Sequence, residues 1–278
     1  DLDPLFSEIT AACETQGIPA GSIVSEYGAG QFEVNLHHVA DAVVACDHAI
    51  LLRRLIRGIA KKHDLAATFM AKPFAEIDGS GMHVHLSLVD REGRNVFAPQ
   101  PPASAPDRYS AKLRHAVGGL LAAIPESLAI FAPNANSYRR IRPGCFAPIA
   151  PNWGVNHRHV AVRIPVSSDQ NLRLEHRVAG ADCNPYLAMA AILAGVHAGL
   201  TQNIEPPRMI HEGEVMDEKV SLSPRWETAL DAFDAGRLLP DYLGAEFCRV
   251  FGLARRHEAE AFHAQVSNLD YEWYLGTI

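Results

Sequence analysis

The alternation of polar and apolar residues along residues 79–88, which read GSGMHVHLSL, is the feature that most restricts the fold of this chain. Side chains two residues apart on a strand share one face, so His83, His85 and Ser87 point to the same side. The apolar residues between them then face a core. Two interpretations stay open for the polar face: an exposed or hydrogen-bonded surface, or a metal or phosphate site carried by the H-x-H pair.

The stretch RLEHR at 173–177 repeats this alternation with charged residues. Arg173, Glu175 and Arg177 share one face of the predicted strand. A surface strand with alternating charge is one interpretation. The other is an inward-pointing glutamate that binds a divalent cation while the two arginines hold phosphate or carboxylate groups.

Helical periodicity dominates the remainder of the chain. The predicted helices cover residues of about 2–16, 40–63, 107–123, 185–202, 225–236, 240–248 and 252–265. Asp107 is expected to cap the third of them, and Pro185 fits the first turn of the fourth, where its missing N–H costs nothing. Residues 67–74 read as a further strand. The mixture predicts one α+β domain.

Composition excludes several classes of protein. The 278 residues are 48% hydrophobic and 21% charged, which is enough apolar material for a substantial core. The net charge of -7 comes without a basic run, so we expect no nucleic-acid partner. No apolar run reaches the roughly 20 residues that span a bilayer. Five scattered cysteines without a C-x-x-C pair predict reduced thiols and a cytoplasmic location.

Arginines recur in two later stretches, NSYRRIRPG and NHRHVAVRIP. These stretches supply Arg139, Arg140, Arg142, Arg158 and Arg163. Arg163 lies in an otherwise apolar strand, and a buried arginine needs an anionic partner. Several converging arginines therefore suggest a polyphosphate or carboxylate substrate.

Two carboxylates, Glu26 and Glu33, flank a glycine-rich turn, where a surface position is the simplest interpretation. Carboxylates combined with imidazole favour Mg²⁺ or Mn²⁺ over zinc. A divalent metal with arginines fits phosphoryl transfer from ATP, although the chain has no P-loop, Rossmann, Ser–His–Asp or cysteine-nucleophile pattern. An unrelated metalloenzyme of cupin type would need a third ligand near the H-x-H pair and would leave the arginines unexplained.

Seven colinear motifs between about residue 20 and about 200 carry a family resemblance. In order they are E-x-G-x-G-Q-x-E at 26–33, K-P at 72–73, D-G-S-G-M-H-x-H at 78–85, N-S-Y-R-R-x-x-P-G at 136–144, R-x-x-x-x-R-I-P at 158–165, R-x-E-x-R at 173–177 and A-D-x-N-P-Y-L at 181–187. This set resembles the glutamine synthetase family. The resemblance implies an α+β catalytic domain over residues 1–278, with a curved antiparallel sheet lining the site and helices packed outside.

The resemblance also implies two or more Mg²⁺ or Mn²⁺ ions in each site. Glu26 and Glu33 match ligands of a first metal on the substrate side. His83 and Glu175 match ligands of a second metal, which clamps the phosphates of ATP.

The chemistry that the resemblance implies has two steps. ATP phosphorylates the γ-carboxylate of glutamate, and an amine then displaces phosphate to form an amide. The matched positions are His85, Ser87 and Arg173 for ATP, Gly79, Arg140 and Arg177 for glutamate, and Arg158 and Arg163 as catalytic residues that face the phosphates and the γ-glutamyl phosphate.

One departure from the family pattern bears on the amine. Where glutamine synthetases have an aromatic residue and then a glutamate that binds and deprotonates ammonium, this chain has Cys145 and Phe146. Phe146 cannot accept a proton and is expected to line a larger, partly apolar pocket. We therefore expect an organic amine (a polyamine, ethanolamine or an alkylamine), as in the γ-glutamyl-polyamine and γ-glutamyl-alkylamide branch. A glutamine synthetase that uses ammonia, and a non-catalytic structural or regulatory member, are the alternatives.

The start of the chain carries a further expectation. A helical pattern begins almost at Asp1, which is typical of a fragment. In the family, an N-terminal β-grasp domain and a strand with two more metal-binding glutamates precede this point, and each site lies between neighbouring subunits of a ring. We therefore expect the 278 residues alone to form an incomplete site of a homo-oligomeric ligase of nitrogen metabolism.

Overall fold

A computed structural model of the chain describes residues 2–99, 109–211, 213–214 and 222–278. Its helices are α1 (Asp3–Thr15), α2 (Ala42–Lys62), α3 (Ala111–Phe131), α4 (Pro185–Gln202), α5 (Trp226–Asp234), α6 (Leu238–Leu243), α7 (Ala245–His263) and α8 (Asn268–Tyr274). Its strands are β1 (Ala20–Ser25), β2 (Phe32–Leu36), β3 (Val84–Leu86), β4 (Trp153–Val155), β5 (Val162–Ile164) and β6 (Leu174–His176). The predicted α+β class is confirmed.

The strands form two sheets. β1 and β2 form an antiparallel hairpin, and the other strands form a sheet in the order β3-β6-β5-β4. β6 runs antiparallel to both β3 and β5, but β4 runs parallel to β5. The sheet is therefore mixed, and the expectation of a wholly antiparallel sheet is wrong at this edge. The chain leaves β4 at Asn156, whose φ of +53° is one that asparagine tolerates, and returns to start β5 alongside it.

Side-chain caps explain where several helices begin. Asp41 and Asn184 accept hydrogen bonds from the first-turn N–H groups of α2 and α4. The cap of α3 is Ser110 rather than the expected Asp107, which lies outside the described residues. α3 also continues to Phe131, beyond the expected end near residue 123, because its later turns are buried in the core.

The main core lies between the four-stranded sheet and the pair of helices α3 and α4. Gly119 of α3 faces Gly199 of α4 so closely that a Cβ on either residue would overlap the other helix. The small residues let the two backbones approach, and large side chains such as Leu120, Ile192 and Leu174 fill the space around this contact. A smaller core, which includes Ile9 and Leu55, joins α1 and α2 to the hairpin.

Residues 67–74 do not form the expected strand. The backbone N–H and C=O of Lys72 instead bond to the side chain of Asn136, at 2.9 and 2.8 Å. Pro73 offers no N–H to a strand partner. The polar backbone groups of this segment are thus satisfied by a side chain, and the segment positions the loop that follows it.

The sequence predicts helices at about 240–248 and 252–265, but the break between the two lies earlier in the chain. The chain ends α6 at Leu243 and starts α7 at Ala245, with Gly244 between them at a φ of +87° that favours glycine. Among the helices of the described residues, none has both the length and the apolar character needed to cross a membrane.

Candidate active site

Glu175 lies at the centre of a charged cluster on the four-stranded sheet. Its side chain is only 2% exposed, so the interpretation of RLEHR as a surface strand is wrong. Arg163 Nη1 lies 2.9 Å from Oε2 of Glu175, and Arg177 Nη1 bonds to the other oxygen, Oε1. Arg163 and Glu175 are register partners on β5 and β6, and Arg177 follows directly after the end of β6.

His85 of β3 and His83, which directly precedes this strand, face the same carboxylate. His85 is the register partner of Glu175, and the nitrogens His83 Nδ1 and His85 Nε2 lie 3.5 and 4.0 Å from its Oε1. Burial and then the charge of Arg177 hold the pKa of His83 well below its ordinary value. Burial also lowers the pKa of His85, although Glu175 opposes that shift. Both imidazoles are therefore neutral at pH 7 and offer a lone pair.

The predicted nucleotide-side residues form the outer part of this face. Nε of Arg173 donates to Nδ1 of His85 over 3.2 Å, so these two side chains are in direct contact. Ser87 is exposed one residue beyond the end of β3. The structure thus brings His85 and Arg173 together and leaves Ser87 at the rim.

Glu26 and Glu33 lie on one face of the β1–β2 hairpin. Glu33 pairs with Val24, and the N–H of Glu26 bonds to the carbonyl of Gln31, so the two carboxylates are diagonal neighbours. Partial burial and then the negative charge of Glu33 raise the pKa of Glu26. The positive charges of Arg158 and Arg177 lower it. The hairpin therefore places a carboxylate pair beside the arginines of the sheet.

These four residues form two pairs of candidate metal ligands, and neither pair is a complete coordination shell. No group of three or more His, Cys, Asp or Glu side chains in the described part of the chain is arranged to hold a metal ion. Glu26 with Glu33, whose charges repel, and the neutral His83 with Glu175 are donor pairs of the kind that Mg²⁺ and Mn²⁺ accept. Phosphate oxygens, water or further protein groups would have to supply the other ligands.

The loop around Gly79 is fixed from both sides. Gln31 of the hairpin donates through Nε2 to the carbonyl of Gly79 at 3.0 Å and to Oγ of Ser80 at 3.2 Å. On the other side, a Cβ on Gly79 would come within 2.6 Å of the carbonyl oxygen of Ala71 and 2.9 Å of Cγ of Arg140. Sequence reasoning missed Gln31 as a loop tether, although its place in the G-Q-x-E motif was a usable signal.

Arg140 is buried beneath that loop. Its two terminal nitrogens donate to the carbonyls of Val178 and Arg177, at 2.8 and 3.2 Å. Burial lowers its pKa to about 10, while Asp182 opposes the shift. Here Arg140 therefore ties the loop to the end of β6, and the role in carboxylate binding expected for it stays a prediction.

Phe146 and Arg158 lie at the open edge of the cluster. Phe146 stacks between two rings that the sequence reading did not single out, Tyr27 and His159. Arg158 is exposed, and its carbonyl accepts a hydrogen bond from Nε of Arg177 at 3.1 Å. The positions of Tyr27 beside Glu26 and of His159 beside Arg158 were the only sequence signals for these rings.

Known proteins resemble this chain over nearly its whole length. A family profile described as "Glutamine synthetase, catalytic domain" matches residues 1–274. The chain is 40% identical over 271 residues to gamma-glutamylputrescine synthetase of Escherichia coli, covering 98% of this chain and 56% of that protein. It is 34% identical over 278 residues to glutamate–isopropylamine ligase of a Pseudomonas species, covering 99% of this chain and 60% of that one.

A solved structure titled "Apo GmaS without ligand" superposes with a TM-score of 0.85 at 29% identity, covering 99% of this chain and 63% of its own. A second, titled as a complex of GmaS with ADP, gives the same TM-score at 28% identity. The chain thus spans a little over half the length of the relatives it matches.

Proposed function

The chain belongs to the glutamine synthetase family, and we propose that the protein containing it is an ATP-dependent ligase that joins glutamate to an organic amine through γ-glutamyl phosphate. The observation that carries the proposal is the buried Glu175, held between Arg163 and Arg177 and faced by two neutral histidines. Such a cluster suits a reaction in which negative charge builds up on a transferred phosphoryl group.

In this proposal the four metal-binding residues act as two pairs. Glu26 and Glu33 would hold one Mg²⁺ or Mn²⁺, and His83 and Glu175 would hold another. The cations, when bound, neutralise charge on the phosphates and orient them. Because Arg177 already bonds to Oε1 of Glu175, a metal at that oxygen would compete with this ion pair.

The protein side chains bind and orient the substrates. His85, Ser87 and Arg173 hold ATP, while Gly79, Arg140 and Arg177 border the glutamate. A γ-carboxylate oxygen attacks the terminal phosphorus, and ADP leaves with the electrons of the broken P–O bond. The amine nitrogen then attacks the γ-carbonyl carbon, inorganic phosphate leaves with the electrons of the broken C–O bond, and the nitrogen loses a proton to water. Arg158 and Arg163 stabilise the phosphoryl oxygens in both steps.

The phenyl ring of Phe146 favours an organic amine over ammonia as the acceptor. A phenyl ring at this position cannot attract ammonium or take its proton, but it can contact an alkyl chain. The names of two relatives, a γ-glutamylputrescine synthetase and a glutamate–isopropylamine ligase, support this class of acceptor.

The proposal extends to the whole protein. Residues 1–278 form the catalytic domain, and the N-terminal β-grasp domain of the next subunit supplies part of the wall of the site in a ring-shaped homo-oligomer. We propose a cytoplasmic location, because the five cysteines are unpaired and four of them are buried.

A phosphate-release assay on the complete protein tests the function. It uses ATP, Mg²⁺ and glutamate with ammonium, methylamine, ethanolamine or putrescine as the amine. We expect phosphate release to require glutamate, and kcat/KM to be higher with at least one organic amine than with ammonium. A higher kcat/KM with ammonium than with each organic amine would indicate glutamine synthetase instead. Failure to bind ATP in the presence of Mg²⁺ or Mn²⁺ would indicate a non-catalytic member.

A further inference from the structure

Asn156, the first residue after β4, makes two hydrogen bonds to β5. Its N–H donates to the carbonyl of Ile164 at 2.9 Å. Its side-chain oxygen Oδ1 accepts a hydrogen bond from Nη2 of Arg163 at 2.7 Å. An exposed loop residue is thereby joined to one of the two arginines proposed to be catalytic.

The backbone conformation alone does not explain an asparagine at this position. The φ of Asn156 is +53°, a value that glycine adopts without a steric cost. The bond to Ile164 uses only the backbone, so glycine would preserve that bond too. What glycine would remove is the hydrogen-bond acceptor for Arg163.

Arg163 shares its only carboxylate partner among the described residues with a second arginine. Glu175 accepts from Nη1 of Arg163 through Oε2 and from Arg177 through Oε1, so one negative charge serves two guanidinium groups. Burial lowers the pKa of Arg177, Glu175 opposes that shift, and the positive charge of Arg163 adds to it. The two guanidinium groups therefore repel each other. A single bond to Glu175 would leave Arg163 free to turn, whereas a second bond at Nη2 fixes its plane.

A count of donors shows what Arg163 can still offer to a substrate. A guanidinium carries one N–H on Nε and two on each terminal nitrogen. Nε of Arg163 is buried and has no hydrogen-bond partner in the described part of the chain. Glu175 and Asn156 each accept from a different terminal nitrogen, and the side chain is still 19% exposed. One N–H on each terminal nitrogen thus remains, which is enough to contact two oxygens of a phosphoryl group.

We propose that Asn156 is the positioning residue for Arg163, an inference that rests on the proposed ligase function. The side-chain oxygen of Asn156 holds Nη2 while Glu175 holds Nη1, so the guanidinium is fixed before the substrates bind. The remaining N–H groups then meet the transferred phosphoryl group without reorientation, and donors fixed in this way stabilise the charge that develops in the transition state. Asn156 acts only through Arg163.

Asn156→Gly in the complete protein separates the side chain from the backbone. Because glycine keeps the positive φ, Tm should change little. In the glutamate-dependent phosphate-release assay, with the amine of the earlier panel that gives the highest kcat/KM, we expect kcat to fall about tenfold at nearly constant KM for glutamate. Asn203→Gly, at a residue that ends α4 with the same φ of +53°, is the control and should leave kcat unchanged.

Asn156→Asp tests whether the oxygen acceptor is what matters. Aspartate tolerates a positive φ and keeps an oxygen where the bond to Arg163 forms, so it should recover most of the kcat that Asn156→Gly loses. An unchanged kcat in Asn156→Gly would overturn the inference. A kcat in Asn156→Asp as low as that in Asn156→Gly would overturn it as well.

The double variant Asn156→Gly with Arg163→Lys tests whether Asn156 acts through the guanidinium. Lysine keeps the charge but lacks the fork that Asn156 orients, so adding Asn156→Gly to Arg163→Lys should lower kcat by less than about twofold. An equal loss of kcat from Asn156→Gly in both backgrounds would overturn the inference. Absence of glutamate-dependent phosphate release by the unmodified protein with every amine of the panel would instead overturn the proposed function, and this inference with it.

Discussion

Arg163 and Glu175 are cross-strand partners on β5 and β6, and Nη1 of Arg163 lies 2.9 Å from Oε2 of Glu175. The carboxylate is almost completely buried and Arg177 holds its other oxygen. A buried ion cluster of this kind is expensive to disrupt, since each remaining charge stays desolvated. The same cluster therefore bears on stability and on the proposed chemistry.

Glu175→Gln should keep the size of the side chain and remove its charge. Arg163 and Arg177 would then share a partly buried site without a counter-charge. We expect the free energy of unfolding, measured by urea denaturation, to fall by about 3 kcal/mol. The control is Glu246→Gln, which removes an exposed ion pair with Arg249 and should change stability little. An equal loss of unfolding free energy in both variants would contradict a stabilising role for the buried cluster around Glu175.

Gln31→Ala should loosen the loop around Gly79 without unfolding the hairpin. The variant loses the hydrogen bonds to the carbonyl of Gly79 and to Ser80. We expect KM for glutamate to rise by about tenfold, with a smaller change in kcat, because the loop borders the proposed glutamate site. Asn35→Ala removes an exposed bond to Ser22 in the same hairpin and should leave KM unchanged. The same KM for glutamate in both variants would show that the hydrogen bonds from Gln31 do not position the loop around Gly79 for substrate binding.

Gly79→Ala and Gly58→Ala should have opposite effects on stability. A Cβ at Gly79 would lie 2.6 Å from the carbonyl oxygen of Ala71, so the loop must shift, and we expect a loss of about 1–3 kcal/mol. A Cβ at Gly58 of α2 meets nothing within 4 Å, and alanine should stabilise the helix by about 0.5–1 kcal/mol. Thermal denaturation of both variants measures these effects. A loss of stability in Gly58→Ala would contradict the open space that the structure shows around Gly58.

The pH dependence of stability should report His176, which is fully buried against Phe131. Burial, and then the charge of Arg140, lowers its pKa from 6.5 to about 3. The unfolded state therefore binds the proton more tightly. The contribution of this group to stability is present above pH 6.5 and is lost as pH falls toward 3, by at most about 1.4 kcal/mol per pH unit.

His176→Leu should flatten the dependence of unfolding free energy on pH between pH 4 and 6, as measured by urea denaturation at several pH values. The variant removes the group that takes up a proton on unfolding. His257→Leu, a change at an exposed histidine of α7, should leave the slope as it is. A slope that is the same in both variants would show that other groups dominate acid unfolding.

Phe146→Glu should shift the proposed amine preference toward ammonia. A carboxylate at this position would attract ammonium and could accept its proton, whereas the phenyl ring does neither. We expect the kcat/KM ratio of ammonium to putrescine to rise by at least tenfold in the phosphate-release assay. Phe146→Gln, which has the size of glutamate without its charge, is the matched control. An unchanged kcat/KM ratio in Phe146→Glu would show that this residue does not determine which amine is used.

Local signals in the sequence were sufficient for several elements. Pro185 predicted the first turn of α4, and the alternation around Val84 predicted that this residue faces the core. Such features act through neighbouring backbone groups or a single periodicity, so they can be read without knowing the fold. The strand expected at residues 67–74 failed, because Asn136, far away in the chain, satisfies the backbone of Lys72.

The sequence by itself determined which chemical groups this protein has, the faces on which its strands carry them, and the family to which their order points. Only the tertiary structure decided that Glu175 is buried between Arg163 and Arg177. Only the tertiary structure also stacks Phe146 between Tyr27 and His159. The physical reason is that burial and contact depend on how separate loops and strands converge, and no local periodicity encodes the distance between groups that lie far apart in the chain.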